Sequence, residues 1–115
     1  MALITLRGAA EFKRVFAKGQ ARRSNGLVLH WAANSMEHNR YGLVAKSTLG
    51  TAVARNRVRR WMRELLRSWA PAIEPGYDIV LVARDRDVTA AFAQFSLHLA
   101  TVLHKAELME GQGAG

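Results

Sequence analysis

The run YDIVLVA, Tyr77 to Ala83, is apolar at nearly every position and has the length of one strand. A strand with one wet face would alternate; an unbroken apolar run marks a strand buried at the centre of a sheet. The turn EPG precedes it. Two further segments, GLVLHWA and YGLVA, read as strands separated by the polar stretch NSMEHNR, which is expected to form a hairpin connection. In the first of them Val28, His30 and Ala32 share one face and Leu27, Leu29 and Trp31 the other. An additional edge strand is expected around Gln20 to Arg23. Three segments carry the helical period instead. Residues 8–18 bring Ala9, Phe12, Val15 and Phe16 together, with Gly19 placed to close the helix. Residues 51–69 form a long helix that stops before Pro71, because the residue preceding proline is pushed out of the helical region. Residues 89–107 place Phe92, Phe95, Leu99, Val102, Leu103 and Ala106 on one side. The order α-β-β-β-α-β-α predicts a single α+β domain over 1–115, a sandwich of one sheet with helices, ending in a frayed tail at 111–115.

Composition bears on partners. The chain has 115 residues, half of them hydrophobic, and no cysteine, which excludes disulfides and thiolate metal sites together. No apolar run approaches the roughly 18 residues of a membrane span, and Met1 to Leu6 is too short for a signal peptide, so a cytoplasmic location is expected. Charge is segregated along the chain. Up to Trp69 there are 14 Lys and Arg against 3 acids, a balance of +11; beyond it, 3 against 6, a balance of −3. Charge spread for solubility need not segregate, so one surface is expected to face a polyanion, nucleic acid before an anionic membrane.

The stretch ARNRVRRWMRELLRSW concentrates this charge. On a helical wheel Val58, Trp61, Met62, Leu65 and Trp69 make one compact apolar stripe for the core. The remaining arc carries Asn56, Arg57, Arg59, Arg60, Arg63 and Arg67, interrupted only by Glu64. Neighbouring like charges on a helix repel by a few tenths of a kcal/mol per pair, so a counter-anion is expected. A face built for solubility mixes Glu with Lys; this one is almost purely Arg, whose planar fork grips phosphate oxygens bidentately and stacks on bases. The spacing implies RNA or DNA without choosing between them. A DNA-binding helix-turn-helix would need a second helix joined by a tight turn, which KSTLG after a strand does not provide.

The segment LGTAVARNRVRRWMRE, Leu49 to Glu64, resembles the arginine-rich signature helix of the bacterial ribonuclease P protein subunit, with Ala52, Arg55, Asn56, Arg57, Val58, Arg59, Arg60, Arg63 and Glu64 all fitting the pattern. EFKRVFAKG is similar to that family's N-terminal helix, RYGLVAK to the strand before the signature and YDIVLVAR to the last strand, so the resemblance covers nearly the whole chain. Two positions depart from the usual pattern: Lys46 is followed by Ser47 rather than a second lysine, and His30 stands where an aromatic is common. The resemblance implies a four-stranded sheet with a left-handed βαβ crossover, an exception to the right-handed rule. It also implies the protein component of a ribonucleoprotein endonuclease that removes the 5′ leader of precursor tRNA, with catalysis in the RNA and Mg²⁺ held mainly by the RNA subunit and substrate. By the same resemblance Lys46, Arg55, Asn56, Arg57, Arg59, Arg60, Arg63 and Arg67 would contact RNA. Phe12, Phe16, Val28 and His30 would line a cleft between the sheet and the arginine helix that takes single-stranded leader, where bases stack on rings. The expected partners are the catalytic RNA and precursor tRNA.

The residues themselves point to no protein-based chemistry. No paired carboxylates share a predicted face, no nucleophilic triad is suggested, and His30, His38, His98 and His104 are scattered. The alternative function is a ribosomal or other structural RNA-binding protein, which would share the basic face and the α+β fold but would activate no tRNA-processing RNA.

Overall fold

In the computed structural model, which describes residues 3–110 without the side chains of Asp87 and Val88, the elements follow the expected order. Helix α1 spans Ala9–Lys18, strand β1 Gln20–Ser24, β2 Leu27–Ala33 and β3 Arg40–Ala45; α2 spans Ala52–Trp69, β4 Tyr77–Ala83 and α3 Phe92–Lys105. Short 3-10 turns at Ser47–Leu49, Ala70–Ala72 and Arg86–Thr89 link them. The frayed tail expected at 111–115 lies outside the described residues. The third helix is shorter than 89–107 at both ends: Thr89 closes a 3-10 turn and Ala91 is extended, so the helix starts at Phe92, and it stops at Lys105 ahead of the left-handed Glu107 (φ 60°).

The sheet order is β1-β2-β4-β3. β4 is the central strand its composition requires, antiparallel to β2 and parallel to β3. The hairpin expected between β2 and β3 is not formed: the two strands lie on either side of β4. The reason is burial. β4 is apolar on both faces, and only the middle of the sheet covers both, so it inserts between the earlier strands while the 34–39 stretch passes over its end. There Asn39 holds the stretch, accepting from the Tyr77 N–H at 2.8 Å and donating to the Glu74 carbonyl at 2.9 Å. The true hairpin joins β1 to β2 through Asn25 (φ 44°) and Gly26 (φ 77°), left-handed residues in the two central positions of a primed turn.

Strand alternation sends the side chains to two unequal cores. Leu27, Leu29, Trp31, Tyr41, Ile79 and Leu81 meet α2 and α3 in the larger one, where Val58, Met62 and Leu66 of α2 and Phe95, Leu99, Val102 and Leu103 of α3 are completely buried. Val28, Val80 and Val82 meet Leu6 and Val15 in a smaller core under α1. Burying each of these large side chains contributes roughly 1.5–3 kcal/mol. Because α1 is only 10 residues long, it cannot cover its whole face of the sheet.

Candidate nucleic-acid interface

The uncovered part of that face is a cleft of about 580 Å³. Phe12 and Phe16 reach it from α1, Val28 and His30 from β2, Val44 from β3 and Val82 from β4, with Ala21, Arg22, Arg23, Lys46 and Arg84 completing the lining. All four residues expected in a cleft therefore share one concavity, but its wall is not the one expected. The arginine helix packs on the opposite face of the sheet and contributes nothing to the cleft, whose helical wall is α1. Alternation decides this: residues 28 and 30 point one way, whereas 27, 29 and 31 point to α2 and α3.

Within the cleft Phe16 is 49% exposed and meets His30 edge to face, ring centroids 4.7 Å apart at 88°. Burial lowers the pKa of His30 below its ordinary 6.5, which favours the neutral imidazole. Phe12 approaches the sheet closely because Gly42 has no side chain; a Cβ there would stand 2.5 Å from two of its ring carbons. Arg22, Arg23 and Arg84 were not singled out in the sequence, although alternation carries a signal for Arg84. Counting on by two from Val82 gives Arg84, just as Val44 gives Lys46. The parallel register Ala45↔Ala83 then brings these two cations side by side, which no local pattern announces.

An acid buried in β4 positions α1 over this face. Asp78 is completely buried; its carboxylate accepts from Arg40 Nε and Nη2 at 2.8 and 2.7 Å, from Arg14 Nη2 at 2.8 Å and from Asn34 Nδ2 at 3.0 Å. Burial would raise its pKa, but the hydrogen bonds from Arg40, Asn34 and Arg14 outweigh it and hold the group at about 2. Arg40 also donates to Glu11 of α1 at 2.9 Å, so α1 is tied to the sheet through both Arg14 and Glu11.

The second basic surface is α2. Thr51 caps it, its hydroxyl accepting from the Ala54 N–H at 3.1 Å, and Pro71 follows the end as expected. Asn56, Arg57, Arg60, Arg63 and Arg67 are exposed and Arg59 half-buried. Arg59 donates to Asn56 Oδ1 at 2.7 Å, and the Arg57 guanidinium lies 5.4 Å from the Trp61 ring centre. Arg55 differs from the rest: its Nε is shielded from solvent with no hydrogen-bond partner among the described residues. Every ion pair among the described residues belongs to the Asp78 cluster, and none involves α2. Lys46 lies in the cleft, on the opposite side of the sheet from the other residues of its expected group. Among the described residues no three His, Asp or Glu side chains gather as a metal site, and the carboxylate of Asp78 is already occupied by its four donors.

One basic helix face without acidic partners among the described residues, and one aromatic cleft edged by cations on the far side of the same sheet, define an α+β protein built to hold polyanions. The Ribonuclease P family profile matches residues 2–107. The chain is 30% identical over 103 residues to the ribonuclease P protein component of Syntrophomonas wolfei, covering 90% of this chain and 87% of the relative. It is 35% identical over 111 residues to that of a Roseiflexus species, covering 96% and 91%. The fold superposes on the Staphylococcus aureus RNase P protein with a TM-score of 0.85 and 27% identity, covering 92% of this chain and 97% of that one. The chain belongs to the ribonuclease P protein family, and is the protein component of a ribonucleoprotein endoribonuclease. No described helix is long and apolar enough to cross a membrane.

Proposed function

We propose that this chain acts as one domain on two RNA elements at once, the α2 face holding the catalytic RNA subunit while the α1 cleft holds the single-stranded 5′ leader of precursor tRNA. The carrying observation is the placement of the two basic surfaces on opposite faces of one sheet. On α2, Arg55, Asn56, Arg57, Arg59, Arg60, Arg63 and Arg67 meet phosphates and sugar or base edges. In the cleft, Phe12, Phe16, Val28 and His30 offer rings and apolar floor to leader bases, while Arg22, Arg23, Lys46 and Arg84 attract the backbone.

Catalysis in this reading resides in the RNA. Mg²⁺ held by the RNA and the substrate supplies the electrophilic chemistry at the scissile phosphate; the residues of this chain bind and orient. The test is reconstitution with a bacterial ribonuclease P RNA and labelled precursor tRNA at low Mg²⁺. Leader removal should need both components, and RNA-free protein should cleave nothing. Turnover by the protein alone, abolished by one point mutation, would refute the assignment. Failure to activate any tRNA-processing RNA would favour a structural RNA-binding role.

A further inference from the structure

Where α2 meets the start of α3, Phe92 is 44% exposed although it is a large apolar ring. It stands edge to face against Trp61, centroids 5.4 Å apart at 74°, and Trp61 is anchored from below by the fully buried Phe95 at 5.6 Å. Arg57 lies against the same indole and also lines an adjoining hollow of about 380 Å³ with Ala54 and Arg86. Neither Arg57 nor Arg86 has an acidic partner among the described residues. The result is a partly exposed aromatic pair beside two cations without acidic partners among the described residues.

We propose that Trp61 and Phe92 form a stacking platform for an unpaired nucleotide of the RNA subunit, with Arg57 and Arg86 on its phosphates. The proposal rests on the α2 face being the RNA-subunit surface. Charge selects the occupant: an apolar ring edged by arginines suits a base with its phosphate, whereas a protein segment would have to bring its own acids. Topology selects which RNA. The cleft assigned to the leader opens on the α1 face, and the whole thickness of the sheet separates it from Trp61 and Phe92. A leader base seated between Phe16 and Val28 does not touch Trp61 or Phe92 across the sheet. An unpaired residue of a folded RNA gripped by α2 does, since Arg57 belongs to both surfaces.

The test uses full-length protein with ribonuclease P RNA transcript, first without substrate and then as holoenzyme with precursor and mature tRNA. Phe92→Ala and Phe92→Leu should each weaken RNA-subunit binding by roughly five- to a hundred-fold, the range of one base–aromatic stack, with the salt dependence unchanged. Phe92→Trp should retain it. Phe92→Leu keeps apolar cover on Trp61 and should melt like the wild type, so its loss reports the missing π face and not unfolding. Arg57→Ala should make the salt dependence shallower by about one unit. Discrimination between precursor and mature tRNA should be untouched by Phe92→Leu. The platform is excluded if Phe92→Leu binds within about twofold of wild type, if Phe92→Trp loses as much as Phe92→Ala, or if the loss is confined to leader-bearing substrate. Wild-type protein that does not bind the transcript at all would instead refute the reading of α2.

Discussion

Asp78 shows how one side chain can serve the site from a distance. Its carboxyl ionises at about 2 in the folded protein against an ordinary 3.8, so as pH falls the unfolded chain takes up its proton first. Stability from this group is complete above about pH 5, falls through pH 3.8 towards 2, and is spent below that. The shift corresponds to about 2 kcal/mol. Denaturant melts between pH 5 and 2 should lose that much in the wild type, and the corresponding segment should be missing in Asp78→Asn. At pH 7 that variant leaves Arg14 and Arg40 facing a neutral amide and should cost about 3 kcal/mol. Phe16 makes the opposite case. Being half exposed, it should cost little stability when cut to Ala, yet weaken long-leader precursor tRNA by roughly 1–3 kcal/mol with mature tRNA scarcely changed. Equal losses for both ligands with a large drop in melting temperature would return its ring to the core, where truncation costs roughly 3–5 kcal/mol. Gly42→Ala should displace the Phe12 ring at a cost of about 1–3 kcal/mol, measurable by melting, and lower leader affinity without altering RNA-subunit binding.

At the scale of elements, α2 carries two demands that its wheel keeps apart. Val58, Met62 and Leu66 are completely buried, whereas the arginines of the opposite arc lack acidic partners among the described residues. Trp61 and Trp69 are only half-buried: Trp61 stands at the edge of the stripe and Trp69 is the last residue of the helix. If Arg59, Arg60 and Arg63 each neutralise one phosphate, each Ala replacement should weaken RNA-subunit binding and make its salt dependence shallower by up to about one unit. Titration at several salt concentrations decides it: an unchanged slope for all three would mean a merely solvated face. This helix was legible in the sequence nearly to the residue, since its cap, period and following proline are local signals. Edge strand β1 was only faintly so, although Asn25-Gly26 is the strongest short hairpin signal in the chain.

For the molecule as a whole, the sheet acts as a partition. Its larger core fixes α2 and α3 on one side, and its smaller core leaves the cleft open beside α1 on the other. In the proposed function, two RNA elements are held without competing for one surface. Substitutions in the cleft and on α2 lie far apart and share no partners, so their effects on precursor binding should add within about 0.5 kcal/mol. A double-mutant cycle on Phe16→Ala and Arg63→Ala, measured as holoenzyme affinity for precursor tRNA, checks this; a larger coupling would mean that the two surfaces hold one continuous RNA segment.

Element types, their order, the central place of YDIVLVA and the basic arc of α2 follow from periodicity, capping and proline, which act within a few turns of chain. So does the sharing of one face by Val28 and His30. Contacts between distant segments follow from none of these. That β4 would part β2 from β3 depended on where a doubly apolar strand finds cover, and that Lys46 and Arg84 would stand together depended on the parallel register. The cleft's wall was assigned to the wrong helix for the same reason: alternation sorts residues into two faces, but which helix covers which face is settled by the relative size of two cores. Asp78 was hidden within an apolar run because its partners, Arg14, Asn34 and Arg40, stand 64, 44 and 38 positions away, and only folding gathers enough donors to keep a carboxylate charged inside the protein.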